Sequence, residues 1–117
     1  MKNFNITILV FIALFCSIFS YSQTQTISLF VKGNCGMCKT RIENAAKSKG
    51  ATSATWDAKT QKVTLQADSN LIDSIMKHIA EVGHDNESYK AEEDVYKKLP
   101  RCCIYDRDLA FGEDNPR

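Results

Sequence analysis

The stretch TISLFVKGNCGMCKTRIENAAKSKG, residues 26–50, decides the fold. Over residues 26–31 the side chains alternate, with Ile27, Leu29 and Val31 on one face and Ser28 and Phe30 on the other, which is the period of a strand. Lys32-Gly33-Asn34 interrupts it. Over residues 38–49 the apolar positions Ile42, Ala45 and Ala46 recur at helical spacing, and Gly50 stands where a helix stop belongs. A strand therefore feeds a helix through a short loop that carries two cysteines.

Downstream, residues 51–56 and 62–67 predict two strands, the second with Val63, Leu65 and Ala67 on one face, joined as a hairpin by Asp57-Ala58-Lys59-Thr60-Gln61. Asp68 or Ser69 then caps a second helix with the stripe Leu71, Ile72, Ile75, Met76, Ile79 and Ala80, stopped by Gly83. Residues 87–91 predict a last short strand. The order is βαββαβ. Strand-helix-strand crossovers are right-handed, so the economical packing is an α+β, ferredoxin-like sandwich: a four-stranded antiparallel sheet with both helices on one face.

Upstream of this unit, residues 6–19 (ITILVFIALFCSIF) are apolar and Lys2 is the one charge before Lys32. Such a run is short for a membrane span, which needs about 20 residues, and suits a signal-peptide core of about 7 to 15. Ser20-Tyr21-Ser22 supplies small residues at the positions a signal peptidase reads, so cleavage between Ser22 and Gln23 is expected. The competing readings are an uncleaved membrane anchor and a lipoprotein acylated on Cys16. The second wants a small residue before the cysteine, and Phe15 is large. Residues 1–22 thus read as a signal peptide of an exported, periplasmic protein, residues 23–91 as the folded domain and residues 92–117 as a C-terminal extension.

The whole chain has 117 residues, 15 Lys and Arg against 14 Asp and Glu, and five cysteines. Removing residues 1–22 takes Lys2 and Cys16 away and leaves 95 residues of zero formal net charge with four cysteines. A neutral chain has no basic surplus for a nucleic-acid backbone, and its length excludes a large multidomain enzyme. An even cysteine count in an exported chain ordinarily suggests disulfides.

The chemistry lies in Gly33-Asn34-Cys35-Gly36-Met37-Cys38. Two thiols three positions apart converge when the first lies in a loop and the second opens a helix, whose N-terminus lowers thiol pKa. Lys39 and Arg41 add nearby positive charge. Paired soft thiolates with few hard ligands favour Cu(I), and also take Hg(II) or Zn(II). Two ligands suit linear or trigonal Cu(I), whereas structural zinc wants four. The bland alternative for a lone CxxC in an exported protein is a disulfide or redox pair.

A strand, Gly-x-Cys-x-x-Cys and a helix at the start of a βαββαβ chain resemble the heavy-metal-associated domain family of copper chaperones and periplasmic mercury-binding proteins. The resemblance covers residues 26–91 and extends to Ile42-Glu43, to the hairpin from Trp56-Asp57 through Lys62-Val63, and to the helix end near Gly83. It implies that Cys35 and Cys38 are exposed metal ligands and that ligand exchange is the working step: an incoming thiolate binds before an old one leaves. It implies as partners a metal-transporting membrane protein or another CxxC domain, with the chain a monomer or a metal-bridged dimer. Two positions depart from the pattern. Gly33 replaces the family's usual Met, leaving Met37 as a loop-packing residue or soft auxiliary ligand. Asn34 is neutral where zinc and cadmium handlers often have an acid, which tilts the reading toward Cu(I).

His84, after Gly83, falls in the loop expected at the cysteine end of the sheet, where the family often has Tyr or Lys. It reads as a third ligand or pH-sensitive gate, or as an exposed loop histidine. His78 reads as a surface residue of the second helix. In the extension, residues 92–99 place acids first and bases last, as a short helix prefers, and Pro100 ends it. Cys102 and Cys103 could form a vicinal disulfide, pair with Cys35 or Cys38, or bind metal. The tail leaves the last predicted strand roughly 15 to 20 Å from the cysteine loop, and a short helix plus two or three extended residues cover about that span. Cys102 and Cys103 are therefore placed either back against Cys35 and Cys38, as a four-thiol site for more than one Cu(I) or one Zn(II) or Cd(II), or on a loose tail. Residues 106–117 read as a fraying end.

The sequence thus points to an exported soft-metal-binding protein, a Cu(I) chaperone or scavenger, with no catalytic step. Cys-Gly-Met-Cys at a helix start also resembles a thioredoxin active site. That fold needs a proline facing the cysteines from a later strand, and Pro100 and Pro116 both lie in the tail. A metal-sensing or docking module of a transporter is the remaining alternative.

Overall fold

The computed structural model describes residues 2–16 and 23–111. Ser22 lies outside them, as do Ser20, Tyr21 and Pro116, while Gln23 is exposed at the start of the folded unit. Lys2–Cys16 forms helix α1, with the side chains of Ile6, Ile8, Leu9, Val10, Phe11, Ile12, Leu14 and Phe15 exposed. Fifteen residues rise about 22 Å, against the roughly 30 Å of a bilayer core. No helix among the described residues is long and apolar enough to cross a membrane.

The folded unit is mixed α and β. Strand β1 (Thr24–Phe30) leads to α2 (Gly36–Ser48), then to β2 (Ser53–Asp57) and β3 (Lys62–Asp68). A 3-10 turn, Ser69–Leu71, opens α3 (Ile72–Glu81). The Asp68 carboxylate accepts the Asn70 amide at 3.0 Å and fixes that turn, so the second helix begins with a tight turn where the sequence suggested regular helix. The sheet is antiparallel in the order β1-β3-β2.

Register explains the core. Ile27 lies opposite Leu65, Leu29 opposite Val63, Ala54 opposite Leu65 and Trp56 opposite Val63, so the apolar face of each strand continues across the sheet. Cys38, Ile42, Ala45 and Ala46 of α2 and Ile75, Met76 and Ile79 of α3 are buried in the same core. Each large side chain so buried contributes about 1.5 to 3 kcal/mol. Trp56 lies beneath the cysteine loop, its indole N–H donating to the Val31 carbonyl at 2.9 Å.

A fourth strand is expected at residues 87–91, but the described sheet has three strands and an isolated bridge between Val31 and Asn86. Asn86 turns the chain: its Oδ1 accepts the Ser88 and Tyr89 amides at 3.0 and 2.9 Å, and its Nδ2 donates to Met76 O at 2.9 Å. The Asn86 amide closes the turn on Tyr89 O at 2.9 Å. Glu87 then offers a carboxylate oxygen to the Phe30 amide at 2.7 Å, a donor that a continuing strand would have paired through its backbone. Side-chain bonding of this kind competes directly with a ladder.

The extension is ordered over its described length. Helix α4 is Glu93–Lys97, shorter than the 92–99 expected, and a 3-10 turn spans Arg101–Cys103. Leu99 is buried and packs on Gly83. Gly83 has φ +112°, and a Cβ there would approach Leu99 Cδ2 to 2.8 Å, so glycine is required both by conformation and by space. Residues 106–111, expected to fray, are instead tied to the body through Arg107, through Lys32, and through Phe111, whose ring lies 5.8 Å from that of Phe30.

Candidate metal centre

Cys35 is the N-cap of α2, with extended backbone (φ −124°, ψ 176°) and no hydrogen bond from its side chain to the helix amides. A serine or aspartate there would spend its side-chain oxygen on the cap; the thiol remains directed at other sulfurs. Its Sγ is 3.4 Å from Cys38 Sγ and 3.4 Å from Cys103 Sγ. Cys38, one turn into the helix, is fully buried and its sulfur accepts the Asn34 amide at 3.4 Å. Gly33 makes the loop this tight. A Cβ there would meet Cys38 Cβ at 3.0 Å and the Trp56 ring at 3.0 Å, so the space beside Gly33 is filled by its neighbours' side chains.

The extension brings the second cysteine pair to the first. Cys35, Cys102 and Cys103 have sulfurs within 4.8 Å of one another, and all four cysteines are free thiols. Several anchors hold them there. The Tyr105 hydroxyl, buried, donates to Gly83 O and accepts the Asp85 amide, both at 2.8 Å. The Arg107 guanidinium grips both carboxylate oxygens of buried Asp85 at 2.9 Å and reaches Ala91 O at 2.7 Å and Glu93 at 2.9 Å. Asn34 Nδ2 donates to Ile104 O at 2.9 Å. The Lys32 ammonium donates to Arg107 O at 2.8 Å and to Leu109 O. A bidentate Arg–carboxylate pair is the strongest of these contacts and the most directional.

These neighbours set the thiol chemistry. Burial alone would raise Cys35. Hydrogen bonding from Cys102 first, then from Cys38 and Cys103, outweighs it and lowers the pKa to about 7. Cys103 is pushed strongly upward, first by burial and then by its bonds to Cys38 and Cys35. Cys102 is raised chiefly by its hydrogen bond to Cys35. Cys35 is thus more readily ionised than Cys102 and Cys103 beside it, a reactive sulfur of the kind that binds soft metals or attacks disulfides.

The other sequence-selected residues are placed as follows. Met37 is 54% exposed on an open groove lined by Cys35, Gly36, Thr40 and Arg41. His84 is fully buried. Its Nδ1 bonds to Lys32 O at 2.8 Å and its ring stacks on Tyr105 at 5.7 Å. Burial, aided by Arg41, lowers its pKa to about 4 against the opposing bond to Lys32. The neutral ring therefore donates from Nδ1, and it packs behind the tail, outside the sulfur triangle. His78 pairs with Glu81 at 3.3 Å on α3. The two cations expected beside the thiolates have other partners: Lys39 pairs with Glu43, and Arg41 donates to Val82 O at 2.8 Å.

Sequence reasoning missed the residues that position the tail: Lys32, Asn34, Asp85, Tyr105 and Arg107. Tyr105 and Arg107 lie just past the Cys-Cys pair, and that proximity was the one available signal. Their partners are distant in sequence and follow no period.

A scan of protein-family models gives no match to this chain, and a search of curated proteins gives none. Among solved structures, a CopZ metallochaperone is similar to it, with a TM-score of 0.49 and 29% sequence identity, over 53% of this chain and 98% of that one.

Proposed function

We propose that this protein is an exported soft-metal carrier that holds Cu(I) through Cys35 and Cys38 and passes it on by ligand exchange, without a catalytic step of its own. The supporting observation is the sulfur cluster itself. Cys35 has two thiols at 3.4 Å and a third within 4.8 Å. Among the described residues Cys35, Cys102 and Cys103 are the one group of three or more cysteine, histidine or acidic ligands close enough to share an ion, and Cys38 adjoins it through Cys35. An all-sulfur donor set selects Cu(I) or Hg(II) over hard ions. The heavy-metal-associated resemblance of Gly33-Asn34-Cys35-Gly36-Met37-Cys38 supports the same reading, with a metal-transporting membrane protein or another CxxC domain as the acceptor. The apolar segment around α1 supports export, and the open groove beside Met37 offers a partner sulfur access to Cys35.

The test is competitive titration of the reduced protein, carrying Cys16→Ser, with Cu(I), Zn(II) and Hg(II). One equivalent of Cu(I) should bind in the presence of a strong competing chelator, and Cys35→Ser/Cys38→Ser should abolish it. Retained tight binding in that variant contradicts the assignment. The thiolate near pKa 7 also favours one rival reading, a thiol-disulfide oxidoreductase. Sustained reduction of insulin disulfides by the protein would select that rival.

A further inference from the structure

The four thiols are not one equivalent set. Three sulfurs, those of Cys35, Cys102 and Cys103, lie within 4.8 Å of one another. Cys38 adjoins Cys35 at 3.4 Å and also meets Cys103, but it is fully buried under the loop with its sulfur on the Asn34 amide, and it does not lie within 4.8 Å of all three. The triangle passes from outside to inside: Cys102 is exposed, Cys35 half-buried and Cys103 buried. An ion bonded in a plane to three sulfurs at about 2.3 Å needs sulfur separations of about 4.0 Å, the edge of an equilateral triangle. The 3.4 Å edge between Cys35 and Cys103, and edges of at most 4.8 Å elsewhere, bracket that value.

The triangle is also braced from behind. Ile104, next to Cys103, gives its carbonyl to Asn34, next to Cys35. This bond ties the two cysteine-bearing segments together one residue from the sulfurs on each side. Tyr105 and Arg107 then fix the tail to Gly83 and Asp85. The arrangement is that of a preorganised ligand set, in which the ordering of the third and second donors precedes metal arrival.

We infer that Cys35, Cys102 and Cys103 form a trithiolate Cu(I) site, distinct from the Cys35/Cys38 pair and joined to it by the shared Cys35 sulfur. The inference rests on the reading of Cys35 as a soft-metal ligand proposed above. Loading forms three copper–sulfur bonds and releases the thiol protons to solvent. Passage to the Cys35/Cys38 pair keeps the bond to Cys35, forms one to Cys38 as that thiol gives up its proton, and breaks those to Cys102 and Cys103, which each take a proton back from solvent, a net uptake of one proton with no change in oxidation state. The chain thus carries internally the incoming thiolates that a two-cysteine carrier must receive from its partner, and exposed Cys102 is where an outside ligand first reaches the ion.

The experiment uses the full chain with Cys16→Ser, reduced and anaerobic, loaded with one equivalent of Cu(I). Copper K-edge absorption counts sulfur neighbours, and competition with a chelator reads affinity. The parent should show three sulfurs. Cys38→Ser should keep all three and its binding, Cys35→Ser should lose the ion, and Cys102→Ser should fall to two sulfurs. Cys102 is exposed, so its replacement leaves the packing alone, and Arg107→Ala, which frees the tail, should likewise reduce the count to two. Loss of the ion from Cys38→Ser as complete as from Cys35→Ser, or three sulfurs remaining in Cys102→Ser, overturns the trithiolate site and leaves the carrier reading standing. A parent chain that takes up no Cu(I) overturns both.

Discussion

The mixed α and β body and the C-terminal tail are held by different balances of force. The body rests on burial: Ile42, Val63, Leu65, Ile75 and Ile79 are wholly removed from water and carry no polar atoms. The tail buries Leu99, Cys103 and Tyr105 and adds directed bonds: the Tyr105 hydroxyl, the Arg107–Asp85 fork, and the Asn34 and Lys32 donors. Burial is cooperative and insensitive to direction, so the body melts as a unit. Directed bonds can be removed singly, so the tail can be detached while the body persists. The sulfur cluster straddles this boundary, with Cys35 and Cys38 on the body and Cys102 and Cys103 on the tail. Its nuclearity and reach therefore depend on the weaker of the two regions.

The largest effect should come from the body. Leu65→Ala leaves a cavity under the central strand and should cost about 4 kcal/mol, measured as a fall in denaturation midpoint. The body should melt in one transition. A midpoint unchanged from that of the parent would show that Leu65 carries little of the body's burial.

The boundary itself should respond to acid. His84 is held neutral, with a pKa of about 4 against the usual 6.5. The unfolded chain therefore takes up a proton that the folded chain refuses. The stabilisation is fully present above pH 6.5, falls as pH drops through the interval from 6.5 to 4, and amounts to about 3 kcal/mol when complete. Denaturation followed against pH should show this slope, and His84→Gln should remove it. An equal slope in the variant would assign the acid sensitivity to other groups.

The smallest effect should be confined to the tail. Tyr105→Phe removes both bonds of the buried hydroxyl, strands the Asp85 amide and Gly83 carbonyl, and should cost about 2 kcal/mol. The body's melting should shift little, while buried Cys103 becomes reactive toward an alkylating agent. Unchanged Cys103 protection would mean that the tail is held by burial, like the body.

The same contrast explains what could be read from the sequence. Period-2 and helical stripes carry β1, β3, α2 and α3, because burial on one face imposes a spacing. The CxxC at a strand-to-helix junction was legible for the same reason. Glu87 and Asn86 defeated the reading of a fourth strand, because a carboxylate taking the Phe30 amide and an Asn-centred turn mimic or interrupt a ladder without altering alternation. The latch was illegible because Asn34 finds Ile104, and Asp85 finds Arg107, across separations that no period encodes. His84 was placed at the correct end of the sheet, but its burial behind Tyr105 depends on the tail's path. The return of Cys102 and Cys103 to the loop was one of two readings left open by reach alone, and the latch residues are what select it.

The central claim is that Cys35 is a metal-binding thiolate. It is tested most directly by alkylation of the reduced Cys16→Ser protein near neutral pH, read cysteine by cysteine by mass spectrometry, with and without one equivalent of Cu(I). Cys35, with its pKa lowered to about 7, should react readily in the metal-free protein and be protected by Cu(I). Equal reactivity of Cys35 with and without the ion would contradict the claim.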